Sequence, residues 1–220
     1  MKNVRGKFIV FDGGEGCGKS TQAAMLRDAL EASGSSVLLV HDPGTTRIGS
    51  LVRGILLDPD NTDMNMRCEM LLYMAARAQM ITERILPALS DGKVVISDRF
   101  VSSTLAYQLG GDGLTTPDIR GVAEVAIKGR WPDLTIILDL PIEQSSARVQ
   151  PKFLLPLPDE VTSKVGKDRI ELRSMEYHDD VRKKYLQQAK TDPKRYRVID
   201  ASRGIDAIHA DVMRAVQSLK

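Results

Sequence analysis

The sequence has few cysteines, no long apolar run and almost no net charge, and each shortage excludes a class of protein. Two cysteines in 220 residues allow at most one disulfide and exclude a disulfide-rich secreted scaffold. The first apolar run, Phe8–Phe11, is too short for a signal peptide or a membrane span, and no later run approaches spanning length. With 31 basic and 29 acidic residues, the net charge of +2 argues against a dedicated nucleic-acid binder. We therefore expect a cytoplasmic protein with neither a membrane nor a nucleic acid as partner.

What the sequence does contain is an alternation of short apolar runs and longer helical patterns. The predicted strands are Lys7–Phe11, Val37–His41, Lys93–Ser97, Leu134–Leu140 and Arg195–Ile199. The predicted helices are Gly18–Ala32, Cys68–Leu89, Val101–Leu109, Pro117–Lys128, Ile142–Val149, Asp168–Lys190 and Ile205–Leu219. Continuously apolar strands that alternate with helices are typical of a parallel sheet with helices on both faces. The sequence thus predicts an α/β, doubly wound, five-stranded parallel sheet.

The least regular part of the chain is residues 150–167, QPKFLLPLPDEVTSKVGK, which contains three prolines and separates two predicted helices. An irregular excursion of this length inside an otherwise regular pattern is commonly functional. The length of the chain suits one core. We therefore predict a single domain over residues 1–220, with a small lid at about residues 150–168.

The strongest motif is a phosphate-binding loop between the first predicted strand and the first predicted helix. It fits G-x-x-x-x-G-K-[ST] at every fixed position. Its residues are Gly13, Gly14, Glu15, Gly16, Cys17, Gly18, Lys19 and Ser20, followed by Thr21. The glycines let backbone amides converge on phosphate oxygens, the lysine reaches the outer phosphates and the serine hydroxyl is placed for Mg²⁺. The loop predicts a fold of the P-loop NTPase type that binds a nucleoside triphosphate with Mg²⁺.

A second set of residues suggests a pocket for a phosphate acceptor. Asp98 and Arg99 follow a predicted strand directly, where a carboxylate can hold Mg²⁺ and a guanidinium can bind a phosphate. Tyr73 and Arg77 share one helix face, which suits a base, although spacing alone favours packing and solvent contacts. The same alternative applies to Thr104, Tyr107 and Gln108 on the predicted helix Val101–Leu109, and to Arg53, on a further helical segment before Leu56.

Together these segments resemble the thymidylate kinase family over nearly the whole chain. The matching segments are FDGGEGCGKST, HDPGTTRIGSLVRGILL, LLYMAARAQ, SDRFVSSTLAYQ, RWPDLTIILDL and DRIE. The resemblance implies transfer of the ATP γ-phosphoryl group to dTMP, with Mg²⁺ as cofactor, in a homodimer. It implies that Tyr73 stacks on thymine, that Arg77 and Thr104 approach the base, and that Tyr107 selects a deoxyribose.

The resemblance also implies roles around the phosphates. Arg53 and Arg99 match residues that bind the acceptor phosphate, and Glu15 matches a carboxylate near the sugar 3′-hydroxyl. Asp98 matches an acidic group near Mg²⁺. The remaining implied site residues are Lys19 and Arg169 in catalysis, Arg148 at the ATP, and Asp42 and Gln108 at the substrate.

The chain departs from the family pattern at several positions. Gly16 stands where some members carry a catalytic arginine, and the lid is rich in lysine, which cannot copy a bidentate arginine. Asp42 replaces a longer glutamate. These departures leave two alternatives open, namely a kinase of another nucleoside or deoxynucleoside monophosphate, or a catalytically weak regulatory protein that binds nucleotides on the same fold.

The cysteines and the histidines complete the predictions. Cys68 lies in a helical pattern and is expected to be buried, whereas Cys17 is expected to be an inert small residue of the loop. The histidines, His41, His178 and His209, show no spacing of a catalytic triad or a metal site.

Overall fold

The predicted strands form one parallel sheet in the computed structural model, which describes residues 4–148 and 168–219. The strands are β1 (Phe8–Gly13), β2 (Val37–His41), β3 (Val94–Asp98), β4 (Leu134–Asp139) and β5 (Tyr196–Asp200). Their order is β2-β3-β1-β4-β5, with every neighbouring pair parallel. The prediction of an α/β, doubly wound parallel sheet is confirmed, and no strand boundary is displaced by more than two residues.

Helices connect the strands and cover both faces of the sheet. They are α1 (Lys19–Ala32), α2 (Arg47–Leu57), α3 (Met66–Met80), α4 (Leu86–Ser90), α5 (Val101–Tyr107), α6 (Thr116–Ile127), α7 (Ile142–Arg148), α8 (Met175–Thr191) and α9 (Ile205–Gln217). A π-helical turn at Ile81–Ile85 joins α3 to α4, so the single helix predicted over Cys68–Leu89 is three consecutive helical segments. Among the described residues, none of these helices has the length and apolar character needed to cross a bilayer.

The prediction that a helix begins at Asp168 is wrong, because α8 begins at Met175. The carboxylate of Asp168 accepts hydrogen bonds from the backbone N–H groups of Ile170 and Glu171, both at 2.9 Å, and so closes a turn. Ser174 then caps α8 by accepting from a backbone N–H of its first turn. The predicted lid lies outside the described residues apart from Asp168, its last residue.

The core has two layers, one on each face of the sheet. On β1, Ile9 and Phe11 pack in the layer that contains α1 and α9, whereas Phe8 and Val10 pack in the layer that contains α3 and α6. All four side chains are fully buried. Each contributes on the order of 1.5–3 kcal/mol by burial. Since both faces of the strand are covered, its sequence is apolar without alternation.

Both cysteines are free, so no disulfide joins them. Cys17 is buried in the phosphate loop. Cys68 is exposed, and the expectation of a buried side chain is wrong. It lies in the first turn of α3, where its backbone N–H donates to the capping side chain of Asn65 at 2.8 Å.

Candidate active site

A cleft of about 490 Å³ lies at the carboxyl ends of β1, β2 and β3. This is the end of a parallel sheet at which ligands bind in open α/β folds, next to the point where the strand order reverses. The phosphate loop leaves β1 here, Asp42 follows β2, and Asp98 ends β3. The cleft therefore brings together residues that lie more than 80 positions apart in the chain.

The phosphate loop has the shape that its glycines predict. Gly13 has a φ of 138°, and a Cβ built on it would lie 2.5 Å from the carbonyl oxygen of Leu138 on β4. Gly18, at a φ of 91°, precedes the first residue of α1. The Nζ of Lys19 donates to the carbonyl oxygen of Gly14 at 2.6 Å. A helix N-terminus behind such a loop binds phosphate through its free amides.

A hydroxyl and a carboxylate meet at the edge of this loop. The Oγ of Ser20 donates to Oδ2 of Asp98 at 2.5 Å, and both residues line the cleft, as does Thr21. Magnesium prefers oxygen ligands and is commonly held by one or two side chains together with substrate phosphates. The donor set at Ser20 and Asp98 therefore fits a Mg²⁺ ion.

Arg99 connects the phosphate loop with the far wall of the cleft. Its backbone has a φ of 69°, and its N–H donates to the carbonyl oxygen of Phe11 at 2.8 Å. Its Nη1 donates to the carbonyl oxygen of Gly13 at 3.3 Å, and its Nη2 pairs with Glu15. On the other side, the guanidinium lies 5.2 Å from the ring centre of Tyr107.

A buried polar network supports Arg99, and sequence reasoning missed it. The carboxylate of Asp12 accepts from the hydroxyls of Ser102 at 2.5 Å, Ser103 at 2.6 Å and Tyr185 at 2.7 Å. The same carboxylate lies 3.8 Å from Nη1 of Arg99. Burial, reinforced by the charge of Asp12, raises the pKa of the Tyr185 phenol, which stays a hydrogen-bond donor. The available signal was a charged residue at the end of an otherwise apolar strand.

Arg77 is buried at the base of the cleft wall. Its Nε donates to Oδ2 of Asp42 at 2.6 Å, its Nη1 to the Thr104 hydroxyl at 3.3 Å and its Nη2 to the Phe100 carbonyl at 3.2 Å. Burial raises the pKa of the Asp42 carboxyl, and the charge of Arg77 opposes that rise. The other oxygen of Asp42, Oδ1, is buried and has no hydrogen-bond partner among the described residues. Because both residues line the cleft, a substrate group can approach this pair.

The remaining predicted substrate residues also line the cleft: Arg53, Tyr73, Thr104, Tyr107 and Gln108. Tyr73 lies one helical turn before Arg77, and burial raises the pKa of its phenol. Arg53 donates from Nη1 to the carbonyl oxygen of Pro43 at 3.1 Å. Two aromatic rings, several donors and the cation of Arg53 thus line one space, which suits a base that carries a phosphate.

Outside the phosphate loop, two predicted residues are not placed in the cleft, and within the loop Gly13, Gly14 and Cys17 are not among the residues that line it. Arg169, although described, does not line it. Its guanidinium is buried, pairs with Glu69 and donates from Nε to the carbonyl oxygen of Leu56 at 3.1 Å. Arg148 ends α7, and its side chain lies outside the described residues. Conversely, His41 lines the cleft although its sequence pattern gave no reason to select it.

Comparison with known proteins agrees with this geometry. The sequence model described as thymidylate kinase matches residues 11–212. The chain is 43% identical to the thymidylate kinase of Nitratidesulfovibrio vulgaris strain Miyazaki F, over 96% of both chains. It is 41% identical to that of Caldanaerobacter subterraneus subsp. tengcongensis, over 97% of this chain and 96% of the other. The crystal structure of thymidylate kinase from Ehrlichia chaffeensis superposes with a TM-score of 0.73 at 27% identity, over 96% of this chain and 98% of that one. The chain belongs to the thymidylate kinase family.

Proposed function

We propose that this chain transfers the γ-phosphoryl group of ATP to dTMP, giving dTDP and ADP. The observation that carries the proposal is the position of Arg99. Its guanidinium contacts Gly13 and Glu15 of the phosphate loop on one side and the ring of Tyr107 on the other. An arginine between a donor site and an acceptor site can neutralise the phosphates of both. Family membership supports the same activity.

On the donor side, the loop amides and the N-terminus of α1 would bind the ATP phosphates, with Thr21 and Arg148 as further contacts. Lys19 would move from the carbonyl of Gly14 to the outer phosphates. Ser20 and Asp98 would hold Mg²⁺, which neutralises phosphate charge when bound.

On the acceptor side, the described contacts support the roles that the resemblance implies. Arg77 is held by Asp42, Thr104 and the Phe100 carbonyl, so the orientation of its guanidinium is fixed. We propose that it reads the edge of thymine, while the ring of Tyr73 stacks on the base. Tyr107 lies against Arg99, and this contact supports a position of the sugar next to the acceptor phosphate.

The reaction needs no covalent enzyme intermediate. A phosphate oxygen of dTMP forms a bond to the γ-phosphorus, the bond from that phosphorus to the bridging oxygen breaks, and the electron pair leaves with ADP. Catalysis then consists of positioning and charge neutralisation. Among the described cations, Lys19 and Arg99 can neutralise charge on the transferred group, and Arg53 can neutralise charge on the acceptor phosphate.

The test is ADP formation with ATP and Mg²⁺ against a panel of dTMP, dUMP, dCMP, UMP and AMP. We expect turnover with dTMP to exceed that with every other acceptor. A Lys19→Met variant, purified identically, should show no turnover and thereby exclude a contaminating kinase. A preference for another acceptor would favour the alternative nucleoside monophosphate kinase. Binding of ATP without turnover would favour the regulatory alternative.

We also propose a homodimer, formed through the outer face of α2. Ile48, Leu51 and Ile55 recur there at helical spacing and are 38%, 51% and 48% exposed, and Leu71 on the neighbouring α3 is 49% exposed. A patch of this kind on two adjacent helices suits an isologous contact with a second copy. The lid, the single domain over residues 1–220 and a cytoplasmic location stay predictions from the sequence.

A further inference from the structure

A fully buried carboxylate, Glu69, lies in the first turn of α3, outside the cleft lining. Its Oε2 accepts from Nη2 of Arg173 at 2.6 Å and from Nη2 of Arg169. Its Oε1 accepts from Nε2 of Gln108 at 2.6 Å. A buried carboxylate is costly unless it is paired and hydrogen-bonded, and here both oxygens are occupied.

The hydrogen bond to Glu69 fixes the orientation of the Gln108 side-chain amide. The oxygens of a carboxylate accept hydrogen bonds and do not donate them, so Glu69 must face the NH₂ end of the amide. The carbonyl Oε1 of Gln108 is thereby turned away from Glu69. Gln108 lines the same cleft as Arg77 and Thr104, so that orientation decides whether its side chain offers an acceptor or a donor to the cleft.

The segment that follows the predicted lid is fastened to the same carboxylate. Arg169 and Arg173 both belong to it, and the backbone N–H of Arg169 donates to the carbonyl oxygen of Leu57 at 3.3 Å. Nη1 of Arg173 donates to the Tyr177 hydroxyl, which in turn donates to the carbonyl oxygen of Tyr107 at 2.7 Å. The start of α3, the end of α5 and residues 169–177 therefore meet at one buried charge.

We propose that Glu69 is a positioning residue that determines base specificity through Gln108. The inference rests on the proposed acceptor being a pyrimidine nucleotide. Thymine and uracil present a donor at N3–H and an acceptor at O4. Cytosine presents an acceptor at N3 and a donor at N4. The donors of Arg77 and the carbonyl oxygen of Gln108 match the O4 acceptor and the N3–H donor of thymine or uracil. They do not match the N4 donor and the N3 acceptor of cytosine.

A Glu69→Gln substitution tests the proposal because it preserves shape and changes polarity. The new amide would turn its oxygen towards the two arginines and its NH₂ towards Gln108. Gln108 would then reverse its own amide and present NH₂ to the cleft. We expect the ratio of kcat/KM for dTMP to that for dCMP to fall by about tenfold or more, mainly through KM. The KM for ATP should not change.

A Glu69→Asp variant is the matched control, since it keeps an acceptor-only carboxylate one methylene shorter. It should retain the dTMP to dCMP ratio even if the protein is less stable. If Glu69 had only a structural role, Glu69→Gln would lower kcat/KM for dTMP and for dCMP by the same factor and leave their ratio unchanged. That result would overturn the proposal.

A second measurement uses the wild-type protein and needs no acceptor. In the free enzyme, the side-chain NH₂ protons of Gln108, assigned by NMR against a Gln108→Met variant, should exchange slowly with water because Glu69 holds them. Fast exchange would overturn the proposal even if Glu69→Gln did not fold. Slow exchange in an enzyme that does not prefer dTMP would support the orientation of Gln108 and reject the base assignment, so the two failures are distinguishable.

Discussion

Cys17 shows how the surroundings of a single residue decide its chemistry. A thiol near a helix N-terminus and a lysine is often reactive. Here the thiol is buried and donates to the carbonyl oxygen of Gly14 at 3.0 Å. Burial raises its pKa, and the opposing charge of Lys19 is the weaker influence. The thiolate, which is the nucleophile, is therefore disfavoured near neutral pH.

Alkylation at neutral pH should therefore modify Cys68, which is exposed, and leave Cys17 unmodified. We expect incorporation of one equivalent of iodoacetamide, located by mass spectrometry, without loss of kinase activity. A Cys68→Ser variant should incorporate almost none. Inactivation of that variant by the reagent, with protection by ATP, would contradict this account.

At the residue scale, residues that contact the ligand are easier to predict from sequence than residues that position those contact residues. Lys19, Asp98 and Arg99 stand in recognisable motifs, and all of them line the cleft. Glu69 does not stand out, because a lone acidic residue in a helix usually lies on a solvated face. The only signal for Asp12 is its position as a charged residue at the end of an apolar strand. Only the packing of the chain reveals that both carboxylates are fully buried and bind side chains far away in the sequence.

At the scale of elements, strands were easier to predict than helix ends. Buried parallel strands have continuous apolar sequences that end abruptly at polar or glycine residues. Helix ends depend on local competition for hydrogen bonds, as at Asp168, whose carboxylate forms a turn with the next backbone amides. The periodicity of residues 168–190 could not show that α8 begins only at Met175.

The N-terminus of α3 offers a test at this scale, because this helix carries Tyr73 and Arg77. The Asn65 side chain caps it by accepting from the N–H of Cys68 at 2.8 Å. Asn65→Ala should lower the free energy of unfolding by about 1 kcal/mol. This corresponds to a fall in Tm of about 2–4 °C.

Thermal unfolding followed by circular dichroism measures this effect, and Asn65→Asp, which can still cap, is the control. Since Asn65 does not line the cleft, kcat/KM for dTMP should be close to that of the wild type. A fall in kcat/KM without a fall in Tm would contradict this expectation. It would mean that the cap positions the substrate residues of α3.

At the scale of the whole molecule, the sheet order explains why distant motifs act together. The order β2-β3-β1-β4-β5 places β1 beside β3, so the phosphate loop that follows β1 lies next to Asp98 and Arg99. Alternation of strands and helices predicts a parallel sheet but does not fix the order of its strands. The proximity of the phosphate loop to Asp98 and Arg99 could therefore be inferred only from the family resemblance. The observed strand order demonstrates it.

The proposed homodimer concerns the whole molecule, and it can be tested through the apolar face of α2. Leu51 is 51% exposed in the middle of this face, so Leu51→Glu would place two charges in an isologous contact without disturbing the monomer core. The control is Ile205→Glu, because Ile205 is 57% exposed at the start of α9, which packs against α1 in the other layer of the core. Light scattering should give a molar mass of twice 24.3 kDa for the wild type and for the Ile205→Glu control. For Leu51→Glu it should give 24.3 kDa. A monomeric wild type would refute the dimer, whereas a Leu51→Glu variant that stayed dimeric would place the contact on another face.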